Sequence, residues 1–171
     1  MTLAELIARQ KDKAKNVEID AVDWRLRRDK WLAELDGTLQ RIEAWLRQSG
    51  MSEDEIEHFS LEINEETLGR YTATGLRVQI GAAVVTFRPI GSVLIGACGR
   101  IDVVSDQPGT PSVKLIAECT PSSDDSGHRS SHERDWGWLV YLGRGVKASF
   151  PLDQEGLAKL LAIVLGEEML S

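Results

Sequence analysis

The chain has 171 residues, 42% of them hydrophobic and 27% charged, and a formal charge of −7. That length holds one domain, or one domain with an appendage, and its ordinary apolar content excludes wholesale disorder. The acidic balance argues against a general nucleic-acid binder, because phosphate contacts need clustered cations.

Residues 2–14 read as a short amphipathic helix that uses Leu3, Leu6 and Ile7. A longer helix is expected from Ile19 or Asp20 to Gln48, where Ser49-Gly50 stops it and Gly50 serves as a left-handed cap. Within it Leu32, Leu35, Leu39, Ile42 and Leu46 recur at steps of three and four, one face over about two heptads. Trp31 and Trp45 flank this seam, and Trp24 lies about two turns before it. The seam either packs on the rest of the chain or docks a partner, and the candidate partner-binding residues are Trp24, Trp31, Leu35, Leu39, Ile42 and Trp45. The partner would be another protein or a second copy held by a short coiled coil. Gly37 inside the helix costs roughly 1 kcal/mol relative to alanine, which argues against a rigid rod. The cations Arg9, Lys11, Lys13 and Lys15, and then Arg25, Arg27, Arg28 and Lys30, are interleaved with acids and read as solvated helix faces.

Ser52 with Glu55 three residues on resembles a capping box, predicting one or two more helical turns through Ile56 and Phe59. Glu65-Glu66 reads as a solvated turn. From Leu76 the period changes to two, and strands are expected over 76–80, 83–89, 92–97, 100–105, 112–119, 135–142 and 145–150. Gly96 and Gly99 allow a bend or a close backbone approach in the third and fourth of these. Residues 106–111 are turn chemistry, and Gly143-Arg144-Gly145 is a hairpin loop. The stretch 122–134 has no apolar residue and reads as a solvated loop. Trp136 and Trp138 share one face of a strand whose other face carries Leu139 and Tyr141, so both faces are expected to be covered, one by each helical layer. Asp153 caps a last helix, with Leu152 and Leu157 as a staple, Leu160, Leu161 and Val164 along its apolar face, and Gly166 as its stop.

The fold expected is α+β: a helical arm over 1–58, then a curved antiparallel β-meander of about five to seven strands capped by a C-terminal helix over 59–171. A curved sheet closed by such a helix is similar to the pleckstrin-homology-like shape, an analogy of fold that implies no lipid binding. Cys98 and Cys119 sit in apolar runs and read as buried, reduced thiols, with a disulfide between neighbouring strands as the alternative their spacing allows. With no apolar run of spanning length, and a start at Met1-Thr2-Leu3-Ala4-Glu5 unlike a secretory leader, a cytoplasmic protein is expected.

Little chemistry is assembled. His58, His128 and His132 fall outside metal-ligand spacings, and there is no phosphate loop and no Gly-x-Ser-x-Gly elbow. One local pattern, Gly99-Arg100-Ile101-Asp102-Val103-Val104 followed by Val113-Lys114-Leu115-Ile116-Ala117-Glu118, resembles the strand pair of the PD-(D/E)xK nucleases over about twenty residues. The resemblance implies that Asp102 and Glu118 hold a divalent cation. Thr120 stands where the family has its activating lysine, and a polar loop follows in place of the family's helix, so a degenerate relative is implied. The function expected is that of a non-enzymatic protein-interaction factor without a cofactor: a subunit, adaptor, immunity-type or defence-system accessory protein. The alternative is the metal-dependent nuclease.

Overall fold

The computed structural model describes residues 1–92, 97–119, 136–142 and 149–167, and within its first helix the side chains of residues 17–23 lie outside that description. The expected strand at 92–97 therefore falls largely outside the described residues. So do Thr120, the polar stretch 122–134 with His128 and His132, and the loop at Gly143-Arg144-Gly145.

The N-terminal region is one helix where two were expected: α1 runs from Leu3 to Gln48 without a break. The run between the expected helices, Lys15 to Glu18, breaks the apolar pattern but contains no helix breaker, and no proline or glycine precedes Gly37. Loss of an apolar stripe does not end a helix; a breaker does. Thr2 and Glu5 close a capping box, with Glu5 N–H donating to Thr2 Oγ1 at 3.2 Å and Thr2 N–H to Glu5 Oε2 at 3.0 Å. At the far end Gly50 takes φ 107°, the left-handed stop that its position implied.

After α1, Glu53–Glu55 form a single 3-10 turn. Ser52 and Glu55 do make the capping box, but the helical turns expected through Ile56 and Phe59 are replaced by strand β1, Ile56–Glu65. The spacing of Ile56 and Phe59 mimicked a turn, while Phe59, Leu61 and Ile63 alternate as a strand should. The further strands are β2 (Gly69–Ile80), β3 (Ala83–Gly91), β4 (Gly99–Ser105), β5 (Val113–Glu118), β6 (Gly137–Tyr141) and β7 (Ser149–Pro151). The second helix, α2, spans Gln154–Val164, and Asp153 Oδ1 accepts from Gly156 N–H at 2.6 Å as its cap.

The seven strands of the described residues form one antiparallel sheet in the order β1-β2-β3-β4-β5-β6-β7, each paired with its neighbour in sequence. The register sets Val78 beside Val85, Phe87 beside Val103, Ile101 beside Leu115 and Leu115 beside Val140. These side chains share one face, and that face is the core. Trp31, Leu35, Leu39, Ile42 and Leu46 of α1 join it with Leu157, Leu160 and Val164 of α2. The two helices touch each other, so both lie on the same side of the sheet. This corrects the expectation that β6 would be covered on both faces: Trp138 and Val140 are buried, while Leu139 and Tyr141 remain half-exposed on the open side. No helix of the described residues is long and apolar enough to cross a membrane.

Candidate functional site

The residues singled out on α1 divide sharply. Trp31, Leu35 and Ile42 are fully buried and Leu39 nearly so, all within the core that α1 shares with the sheet. Trp24 and Trp45 are half-buried at its margin. Of the six candidate docking residues, four are thus occupied intramolecularly, and only Trp24 and Trp45 keep accessible surface. Further towards the N-terminus the helix is bare: every residue from Met1 to Asn16 is exposed. Leu3, Leu6 and Ile7, at 73%, 42% and 46% exposure, form an apolar patch at helical spacing, and Leu26 at 45% lies closer to the body.

The junction between the bare and the buried halves is a polar clamp. Trp31 lies against β4, where Gly99 makes room for it: a Cβ at Gly99 would fall 2.4 Å from the indole. Trp31 also neighbours Trp136 and Trp138, with ring centroids 6.3 and 6.2 Å away. Its Nε1–H donates to the Tyr71 hydroxyl at 3.0 Å, and that hydroxyl donates in turn to Glu65. Glu65 also accepts the Ser92 N–H at 2.9 Å, and Arg27 donates to the Ser92 carbonyl at 3.2 Å. Burial, followed by the adjoining Glu65 carboxylate, pushes the Tyr71 hydroxyl far above its ordinary pKa. Tyr71 therefore stays protonated as a fixed donor. Sequence reasoning left Glu65 in a solvated turn and did not single out Tyr71. Neither residue carries a local motif, and only the β1–β2 hairpin brings them to α1.

The open face of the sheet carries the remaining candidates. Asp102 sits opposite Lys114 in register, whereas Glu118 lies four residues further along β5. That separates the two acids by about 13 Å along the strands, too far for one cation with ligands at 2.0–2.6 Å. Each acid has its own partner: Arg100 grips Asp102 through two bonds of 2.7 and 2.9 Å, and Tyr141 donates to Glu118 at 2.9 Å. Among the described residues no group of three or more His, Cys, Asp or Glu side chains could hold a metal ion. A shallow depression on the same face, about 450 Å³, is lined by Phe59, Leu61, Arg77, Thr86, Arg88 and Val104. Arg77 stacks on Phe59 at 4.2 Å. Among the described residues that line it, Ser60 and Thr86 supply hydroxyls, and no carboxylate or imidazole accompanies them.

Cys98 and Cys119 are joined as a disulfide, which corrects the expectation of two reduced thiols. The cause is register. Ala117 O accepts the Cys98 N–H at 2.8 Å, so the ends of β4 and β5 lie side by side and the two Cα atoms are 5.9 Å apart.

No family model, no curated protein and no solved structure matches this chain.

Proposed function

We propose that the protein is a non-enzymatic interaction factor, a subunit or adaptor, that engages a protein partner through the N-terminal half of α1. The observation that carries this reading is the contrast along one helix. Its C-terminal half is buried in the core, while its first turns expose Leu3, Leu6 and Ile7 to water. An isolated helix in water is marginal and gains most of its stability from packing an apolar face. Exposed apolar residues at i, i+3 and i+4 on a capped helix fit helix-in-groove or helix–helix recognition. The coiled-coil expectation moves accordingly, from the seam at Leu32–Leu46 to the arm that precedes it.

Replacing Leu6→Asp and Ile7→Asp together tests the reading. The variant should unfold in urea at the wild-type midpoint, because neither side chain touches the body. It should lose any association that the wild type shows in sedimentation or in pull-down from its source. If mass in solution and retained proteins are the same for both forms, the arm is not the docking surface.

A further inference from the structure

We infer that strand β1 pairs edge to edge with β1 of a second copy of this chain, antiparallel about a twofold axis at Ser60, so that two sheets join into one. The inference goes beyond the reading above and does not depend on the arm.

The two edges of the sheet differ in kind. At one end, β7 is three residues long and closes with Pro151. A short edge strand that ends in proline is a poor template for another chain. At the other end, β1 runs from Ile56 to Glu65 and holds no proline, lysine or arginine. Its register with β2 is unbroken over that whole length, so no bulge twists the edge away. Among the described residues, no backbone hydrogen bond reaches its outer side between Ile56 and Asn64. His58, Ser60 and Glu62 are exposed, so neither α1 nor α2 closes over the strand there. The bulkiest side chain turns inward. The Phe59 ring lies over β2, where a Cβ at Gly75 would fall 2.3 Å from it, and Arg77 stacks on it at 4.2 Å. A long row of outward N–H and C=O groups is thereby left clear for strand addition.

The residues of β1 select the partner. In an antiparallel pair, residues set opposite each other share a face, so the twofold axis passes between one residue and the same residue of the mate. Centred on Ser60, the pair sets Phe59 against Leu61, His58 against Glu62 and Glu57 against Ile63, each twice by symmetry. No acid then stands opposite an acid. With the axis at Leu61, Glu57 would face Glu65, and with the axis at Glu62 that residue would face itself. Like charges set directly opposite destabilise a sheet. With the axis at Phe59, the paired length shortens and His58 loses Glu62 as its counterpart. His58 meets Glu43 through Nε2 at 2.8 Å and Glu62 lies 3.7 Å from Arg70, but both side chains stay more than half exposed and can face across the axis. The strand carries its own match, which makes the occupant a second copy.

The experiment is sedimentation equilibrium of the full chain, joined to cysteine cross-linking. The wild type is expected to dimerise. Ser60→Glu sets two carboxylates opposite each other at the axis and should weaken the dimer about tenfold or more. Its urea midpoint in dilute protein should match the wild type, because Ser60 is exposed. Ser60→Gln, similar in size and neutral, should dimerise as the wild type does. Under a mild oxidant Ser60→Cys should link two chains, since opposite Cα atoms in such a pair lie about 4.5–5.5 Å apart. Glu57→Cys should not, because the register sets it about 20 Å from its mate. A wild type that stays monomeric overturns the inference, and so does a dimer indifferent to Ser60→Glu. Cross-linking as ready at position 57 as at position 60 would show contact without a register and overturn it as well. The pair leaves the arm untouched, so the Leu6→Asp/Ile7→Asp form should keep it, and only associations beyond this pair bear on the reading above.

Discussion

Helix α1 is continuous in its backbone and divided in its surroundings. From Trp31 to Leu46 the side chains of one face disappear into the sheet, while from Met1 to Asn16 none is covered. Apolar residues at helical spacing occur in both halves, Leu3, Leu6 and Ile7 in one and Leu35, Leu39, Ile42 and Leu46 in the other. The difference teaches that periodicity tells which side of a helix is apolar and says nothing about what covers it. Coverage is decided by how far the body reaches, and along α1 it reaches back through the clamp formed by Trp31, Tyr71, Glu65 and Arg27 as far as Trp24.

The contrast can be broken most strongly at that clamp. Trp31→Ala should cost about 3–5 kcal/mol of unfolding free energy, since the indole is fully buried among Gly99, Trp136 and Trp138. Leu6→Ala in dilute protein should change the unfolding of the body by no more than about 0.5 kcal/mol. Urea titrations followed by circular dichroism read both, and comparable losses would mean that the two halves of α1 are not different in kind.

Opening the Cys98–Cys119 bridge comes next in size. It spans 21 residues, and a loop of that length is worth about 3 kcal/mol in the chain-entropy description. Adding a thiol reductant to the wild type should lower its urea midpoint to that of Cys119→Ser, with no effect on the arm. A midpoint unmoved by reductant would show that the sheet does not depend on the bridge.

The smallest effect lies at Glu43, on the C-terminal half of α1. Burial raises its pKa, but hydrogen bonds from Arg47 and His58 outweigh that and leave it below the usual carboxylate value. A carboxylate depressed in the folded state contributes stability above its unfolded pKa of about 4.3, and that contribution fades as pH falls through the lower folded value. Glu43→Gln should therefore cost at most about 1 kcal/mol at neutral pH, with the gap to wild type closing in acid. A gap independent of pH would assign the loss to packing.

Much of the body was legible in the sequence because its signals are local. The Leu35, Leu39, Ile42 and Leu46 seam, the alternation in β3, β4 and β5, and the Asp153 cap each need only a few neighbouring residues. What escaped was non-local or masked by a competing signal. A sound capping box at Ser52 and the three-residue step from Ile56 to Phe59 concealed β1. In the first half of β2, the small and polar Thr72, Ala73 and Thr74 gave little alternation to read. The clamp at Glu65 and Tyr71, and the bridge at Cys98 and Cys119, exist only once strands distant in sequence are set in register. On the arm, the apolar patch was readable at once, but its being left uncovered was not.

The sheet order has a consequence for the history of each molecule. Strands that pair only with their neighbours in sequence give a low contact order, so the sheet can assemble rapidly, hairpin by hairpin. The exception is α1, made before the sheet, whose Trp31 must wait for Trp136 and Trp138 more than a hundred residues later. At ordinary rates of synthesis that interval is about 5–20 s. Through it the Trp31 end of the nascent stripe waits uncovered beside the part that stays outside, even if later turns of α1 already meet β2.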